Sequence, residues 1–550
     1  VTTSAAVVRR NSGWLPLIGV LALVDAAVTL SLPFVLGRAV DAIVAGQGAG
    51  RWLAVTAGLI AVGIVGDLVD VYAGTACVAN TTAWLRKRLV GHLLAIGPQG
   101  VRPFDTGDLV SRVSGNAADA AQVGISVVTI AVAMLPPLGS LVLLALIDPA
   151  VAVAFLAGLA LVGLVLRAFS RRTTAIVGDY QRTQGRIAAG LAESLDGART
   201  IAAAGTVAVE ERRILGDLPE LRTHGERTWR ALSRTSAEAA IVGPLVLVAV
   251  LAAGGLALVD GRITAGDLFA ASRYAVLGAG LGSLTGVLAR LARARAAARR
   301  ADEVLSLPPM SYGRRVLPAG SGQLEFRDVT VHGGQAPLLD RINLAVPGGS
   351  AVAIVGRSGS GKSILAALAA RLRDPDEGEV LLDGVPLGNL RHEALRTAVG
   401  CAFERPVLVG ATVGEAIGLG LNHHLIRVAA RDTHAHDFVS RLPQGYDTPL
   451  ADAPMSGGEA QRLGLARAWH AAGRLLVLDD ATASLDVATE LQISRTLTGD
   501  RAGRTRLIVT HRLGTAARAD LVVWLDGGRV RDCGPHSLLW TDPAYRDVFA

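Results

Sequence analysis

Six long apolar runs crowd into the chain before residue 290, and they constrain its fold more than any other feature. They cover roughly 14–36, 52–76, 122–147, 150–169, 240–259 and 266–289. A helix needs about 20 such residues to cross the hydrocarbon core of a bilayer. Backbone groups inside lipid must find partners within their own segment, so these runs predict membrane-spanning helices. The 550 residues are 51% hydrophobic and only 18% charged. That excludes a disordered chain. It also departs from soluble enzymes, in which about a quarter of residues are charged. The first run is too long for a signal-peptide core, and no small-residue cleavage site closes it. The start at Val1 is what a GTG start codon read literally would produce.

The basic residues are distributed by side. Lys and Arg total 54 against 47 Asp and Glu, a net charge of +7. Arg9 and Arg10 precede the first run, and Arg86, Lys87, Arg88, Arg102 and Arg112 lie between the second and third. Arg171, Arg172, Arg182, Arg186, Arg199, Arg212 and Arg213 lie between the fourth and fifth, and Arg290, Arg293, Arg295, Arg299 and Arg300 follow the sixth. The opposite connections are short and nearly free of positive charge, with Arg51 in the first, Asp148-Pro149 in the second and Arg262 in the third. Positive charge collects on the cytoplasmic side, so both termini and the two long loops are expected there, in the cell membrane. The charge excess is therefore topological, and no nucleic-acid partner is expected. The long loops keep a helical pattern and predict helices that extend past the bilayer. Cys77, Cys401 and Cys533 are far apart and suggest neither a disulfide framework nor a zinc site.

Asp25, Asp67, Asp70, Arg273 and Tyr274 fall inside apolar runs. A charge at bilayer depth costs about 2.5–3.5 kcal/mol on insertion scales, so these side chains should face the bundle or a wet cavity. A polar substrate path and structural pairing between helices both satisfy that requirement.

After a Pro- and Gly-rich linker at 306–322 the chain changes character. The short β-rich runs Leu324–Val331, Ala351–Val355, Leu475–Leu478 and Leu507–Thr510 alternate with helical stretches. This predicts an α/β domain with a mostly parallel sheet. The expected fold class is thus an all-α six-helix transmembrane domain (1–305) followed by a C-terminal α/β domain (323–550).

Gly356-Arg357-Ser358-Gly359-Ser360-Gly361-Lys362-Ser363 directly follows the predicted strand Ala351–Val355. The spacing G-x-x-x-x-G-K-[ST] between strand and helix is a phosphate-binding loop. Its glycines let successive N–H groups point at phosphate oxygens, and the helix beginning near Lys362 adds its positive dipole end. Lys362 supplies a point charge and Ser363 a hydroxyl for Mg²⁺. Lys362 and Lys87 are the only lysines, which makes a lysine in a glycine loop conspicuous. Further on, Leu475–Leu478 delivers Asp479, a second Mg²⁺ ligand, to the end of a buried strand, with Asp480 next to it.

Met455-Ser456-Gly457-Gly458-Glu459, followed by Ala460-Gln461-Arg462, resembles the signature motif of ABC transporter ATPases. Ala483-Ser484-Leu485-Asp486 resembles the family's D-loop, Thr510-His511-Arg512 its switch histidine, and Gly445-Tyr446-Asp447-Thr448 the stretch before the signature. In the membrane half, Thr106–Arg112 resembles the first cytoplasmic loop of exporter-type members, and Glu193, Gly197, Arg199 and Ile201 the second. Gly261–Gly266 is similar to the turn before span six. The resemblance implies a half-transporter that pairs with a second one, and ATP sandwiched between the P-loop of one chain and Ser456, Gly457, Gly458 and Glu459 of the other. It also implies lipid around the spans, a transported solute, and coupling helices near Pro103–Asp108 and Ile201–Glu211. The composition is that of a GC-rich, bacterial genome.

The chain departs from the family at the positions that do chemistry. The catalytic glutamate after Asp479 is Asp480, one methylene shorter. A base must first reach its water, and a misplacement of about 1 Å can cost on the order of 10²-fold. The Mg²⁺-binding glutamine of the loop is Glu404, His332 is the only ring near the adenine-stacking position, and Glu459 replaces glutamine. His511 is kept. The expectation is an exporter subunit whose own site is degenerate and whose signature completes a different partner's site. A working homodimer, an exporter-fold importer of metal chelates and a regulatory, non-transporting ATPase subunit stay open.

Overall fold

The computed structural model describes residues 2–549 apart from 280–281, 335, 420–422 and 500–502. Of residues 161–178, 181, 231–232, 234–242, 279, 282–285 and 423–424 it describes the helical course alone. The Arg171 and Arg172 side chains lie outside the described set. The chain divides into two compact units. One comprises Val1–Gly91 and Asp105–Ser306, the other His92–Phe104 and Leu307–Ala550.

Every regular element of the first unit among the described residues is a helix. Among the described residues, three helical stretches are long and apolar enough to cross a membrane: Trp14–Val44, Gly50–Val101 and Thr106–Ile147. Pro149–Ala160 and Gly243–Val259 are shorter apolar helices. The expected third run is interrupted near its middle, with one helix ending at Ala133 and the next beginning at Leu135 ahead of Pro136-Pro137. Proline lacks the N–H that would continue the ladder. The long loops are helical, as their pattern predicts: Gly50–Val101, kinked at Gly97 (φ 72°), Pro149–Asp196 and Leu218–Val259 run far beyond their apolar cores. The expected coupling segments differ in detail. A helix begins only at Thr106, after Asp105 in an extended conformation. The stretch 201–211 is split by Gly205 at φ 67° between helices Ala198–Ala204 and Val207–Leu215.

Close packing fixes the first helix of the bundle against the helix Ala265–Ala279. A Cβ on Gly37 would stand 2.5 Å from the carbonyl oxygen of Gly266. Asp41 accepts hydrogen bonds from the Gly266 N–H (2.7 Å) and the Thr264 hydroxyl (2.9 Å). The Tyr274 hydroxyl donates to Leu30 O at 2.9 Å. Arg112, 8% exposed, pairs with Asp108 at 2.7 Å and Glu303 at 2.6 Å, and Arg300 also reaches Asp108. Buried charge of this kind is tolerated because it is paired. Asp148 caps the helix beginning at Pro149 and pairs with Arg262.

The second unit is built on two sheets. Strands β1 (Leu324–His332), β2 (Pro337–Val346), β4 (Glu377–Leu382) and β5 (Val385–Pro386) form an antiparallel sheet in the order β2-β1-β4-β5. Strands β3 (Ala351–Val355), β6 (Val399–Phe403), β7 (Leu475–Asp479), β8 (Thr505–Val509), β9 (Leu521–Asp526) and β10 (Arg529–Gly534) form the other, in the order β10-β9-β3-β8-β7-β6. It is parallel except for its β9–β10 edge. The sequence pointed to this parallel sheet but not to the antiparallel one. Strands β3 and β8 are buried throughout, as expected of a sheet covered on both faces. Residues 92–104 are attached here through the linker: Met310 N–H donates to Ala95 O at 3.0 Å, and His92 Nε2 lies 3.0 Å from Leu307 O.

Candidate functional site

Parallel strands end side by side, so loops leaving β3, β6, β7 and β8 gather at one edge of the sheet. The register pairs Phe403 with Asp479 and Asp479 with Val509. Glu404, Asp480 and the run Thr510-His511 therefore emerge together, beside the loop that follows Val355. Ligands of open α/β sheets bind at this carboxyl edge.

The loop 356–363 is wound tightly. Gly361 sits at φ 98°, and a Cβ there would meet Leu339 Cδ2 at 2.5 Å. Only glycine satisfies both conditions. The helix Lys362–Ala369 begins immediately after it. Lys362, buried, donates from Nζ to the carbonyl oxygens of Gly356 (2.8 Å) and Arg357 (2.9 Å), curling the loop around its own ammonium. Burial holds the Lys362 pKa below the usual lysine range, against the pull of Asp480 and Asp479. The Ser360 hydroxyl is buried without a hydrogen-bond partner. A buried orphan donor in an anion-binding loop fits a phosphate oxygen as the group that completes it.

Ser363 Oγ donates to Asp479 Oδ1 at 2.9 Å. Burial raises the Asp479 pKa, and Glu404 adds to the rise while Ser363 opposes it. The donor set of Ser363, Asp479 and Glu404 is all oxygen and suits Mg²⁺. No group of three His, Cys, Asp or Glu among the described residues forms a metal cage.

Asp480 occupies the left-handed region at φ 47°, with its N–H bonded to Val509 O at 3.3 Å. Its Oδ2 lies 3.5 Å from His511 Nε2. Burial raises the Asp480 pKa, His511 lowers it, and Asp479 adds to the rise. The short carboxylate therefore faces the switch histidine.

The signature run opens the helix Gly457–Ala471. Ser456 and Glu459 form a reciprocal cap, with the Ser456 N–H and hydroxyl each 2.8 Å from Glu459 Oε2. These bonds hold the Glu459 pKa below its ordinary value. A cavity in front of this helix end is lined by Ser456, Gly457, Gly458, Ser484, Leu485 and Asp486. The signature and the D-loop thus share one recess. His332 is exposed, with its N–H bonded to Asp376 at 2.7 Å and its ring 3.5 Å from Glu377. Sequence reading passed over Gln461, 2% exposed, which bonds both Glu404 and Ser484. Its only signal was its place two residues after the signature.

Comparison with known proteins agrees with this geometry. Residues 15–278 match the family described as ABC transporter transmembrane region, and residues 339–483 match the family described as ABC transporter. The chain is 47% identical over 528 residues to the ABC transporter ATP-binding protein RamA of Streptomyces coelicolor, covering 95% of this chain and 83% of that protein. It is 31% identical to the ATP-dependent lipid A-core flippase of Escherichia coli K12, over 85% of this chain and 81% of the flippase. Among solved structures, a bacterial Atm1-family ABC exporter with ATP bound superposes with a TM-score of 0.81 at 26% identity, covering 99% of this chain and 98% of that one. The chain belongs to the ABC transporter family and is a half-transporter of the exporter type.

Proposed function

We propose that the chain is one half of a heterodimeric transporter that uses ATP to move an amphiphilic solute outward across the cell membrane. Six spans, with both termini and the ATPase domain in the cytoplasm, make up its share of the assembly. In the second unit, Gly356 to Ser363 grip the phosphates, and Ser360 supplies a donor that has no other partner. Ser363 and Asp479, with Glu404, would hold Mg²⁺, which neutralises phosphate charge when bound. Ser456, Gly457 and Gly458 face a nucleotide held mainly by the partner. Two-sided binding favours the closed dimer, and hydrolysis removes that preference.

The observation that carries the heterodimer reading is the pairing of Asp480 with His511. A base one methylene shorter than glutamate, turned toward the histidine, is poorly placed to polarise a water at the γ-phosphate. A slow site in this chain then needs a competent site elsewhere, completed by the intact Ser-Gly-Gly of this chain. The relatives include flippases that act on lipid A-core, which favours a lipid-like cargo.

The test is turnover of the complex purified from its native membrane. Asp480→Asn is expected to leave ATPase activity within about twofold, because the base it removes contributes little. Abolition of activity would make Asp480 the working base and remove the support for unequal sites. Reconstituted vesicles showing no ATP-dependent solute movement would favour a regulatory subunit instead.

A further inference from the structure

Gln461 connects two loops that no sequence motif links. Its side chain is 2% exposed and projects from the second turn of the helix Gly457–Ala471. Its Nε2 donates to the carbonyl oxygen of Glu404 at 2.6 Å, and its Oε1 accepts from the N–H of Ser484 at 2.9 Å. One partner is an acceptor and the other a donor, so the amide orientation is determined by the bonds themselves. The Ser484 loop is also held from its other side. Arg512, next to His511, donates to Ala483 O at 3.0 Å and Leu485 O at 3.2 Å. Ala483 N–H in turn bonds Asp480 O at 3.1 Å.

These bonds join two places of different purpose. Glu404 follows the strand residue paired with Asp479, whose carboxylate bonds Ser363. Ser484 lines the recess in front of the signature, where a Cβ on Gly458 would stand 3.2 Å from Ser484 O. We propose that Gln461 is a positioning residue that transmits the state of the Glu404 loop to the Ser484 loop, and so links the nucleotide this chain holds to the one it helps its partner hold. The proposal rests on the two-sided nucleotide reading given above. A buried amide suits this role. It is satisfied at both ends only while the two loops keep their spacing, and leaving either end unpaired in the interior is costly. A displacement of Glu404 toward bound nucleotide therefore draws on Ser484.

The test is amide hydrogen exchange, resolved at Ser484, in the full-length protein within its native complex. Gln461→Met keeps the volume and loses both bonds. Gln461→Glu keeps an acceptor for the Ser484 N–H but sets a carboxylate oxygen against the Glu404 carbonyl. Without nucleotide, exchange at Ser484 is expected to speed up about tenfold in Gln461→Met, the effect of one lost buried hydrogen bond, and to stay near wild type in Gln461→Glu. With Mg-ATP, Ser484 slows further in the wild type and in neither variant. Turnover of the complex falls about tenfold in both variants while the KM for ATP holds, since the loss is one of positioning rather than of ground-state binding. Unchanged exchange at Ser484 in Gln461→Met, or a wild-type response to Mg-ATP in Gln461→Glu, overturns the proposal. Absence of ATP protection at Gly356 to Ser363 in the wild type would count against the nucleotide reading instead, and the nucleotide-free comparison would still decide whether the link exists.

Discussion

Ser363 and Asp479, 116 positions apart, are joined by a 2.9 Å hydrogen bond from hydroxyl to carboxylate. The bond ties the first turn after the phosphate loop to the tip of β7. It also opposes the burial that raises the Asp479 pKa. In Ser363→Ala, Asp479 keeps its burial and loses its donor. The Mg²⁺ concentration needed for half-maximal ATP binding should rise about tenfold, the loss of one oxygen ligand and one hydrogen bond. A Mg²⁺ titration with a fluorescent ATP analogue measures this, and an unshifted curve would remove Ser363 from the site.

Lys362→Met takes away the ammonium that holds Gly356 O and Arg357 O at 2.8 and 2.9 Å. The loop loses its internal clasp, and a bound phosphate loses its charge partner. Affinity for ATP should fall by about tenfold to a hundredfold, in the range of charge-assisted hydrogen bonds. Isothermal calorimetry on the purified complex gives the number directly.

Asp480 sets a pH dependence whose sign follows from its raised pKa. Burial disfavours the carboxylate in the folded state, so the contribution of Asp480 to stability is full below the ordinary aspartate value of 3.8 and is lost as pH rises through its raised folded value. At neutral pH the nucleotide-free Asp480→Asn variant should therefore melt at a higher temperature than the wild type. The gap should close as pH falls through the raised value. Thermal unfolding in detergent at several pH values checks both statements, and a gap that widens in acid contradicts them.

In the membrane unit, Arg112 is 8% exposed while Asp108 and Glu303 are 25% and 56% exposed. Removing the cation leaves one partner half in water and able to be solvated. Arg112→Met should cost about 2–3 kcal/mol, somewhat below the usual penalty for breaking a fully buried pair. Glu303→Gln should cost less than about 1 kcal/mol, because that partner is largely exposed. Equal losses in the two variants, read from detergent unfolding curves, would contradict this ordering.

Gly37→Val should prevent the close approach of two helices. A Cβ already meets Gly266 O at 2.5 Å, and branched methyl groups would push the backbones apart. Overpacking of this kind costs about 1–3 kcal/mol. A lower melting temperature at unchanged helical content is the expected outcome.

How far the chain could be read in advance depended on whether a signal was local. The phosphate loop and its helix were legible because glycine spacing and a rare lysine sit within eight consecutive positions, Gly356 to Ser363. Strands β3, β7 and the end of β8 were legible because burial makes them largely apolar, whereas β6, β9 and β10 were not read. The antiparallel sheet was not legible. Of its strands β1 was read, as Leu324–Val331, but was assigned to the parallel sheet, and β2 and β4 mix polar and apolar residues. The break at Met134 was hidden because Pro136 and Pro137 lie inside an otherwise continuous apolar run. Gln461 was read only as part of the run that follows the signature, since its two partners come from loops on either side of it in sequence and meet it only after folding. His332 was chosen as the only ring near its position, and its observed partners are Asp376 and Glu377.

The attachments between the helix Trp14–Val44 and the helix Ala265–Ala279 extend from Leu30 to Asp41 on the first and from Thr264 to Tyr274 on the second. Spread over about three turns, they resist both sliding and rolling. The pair behaves as a single strut. Separating the two helices along this length would break three hydrogen bonds at once.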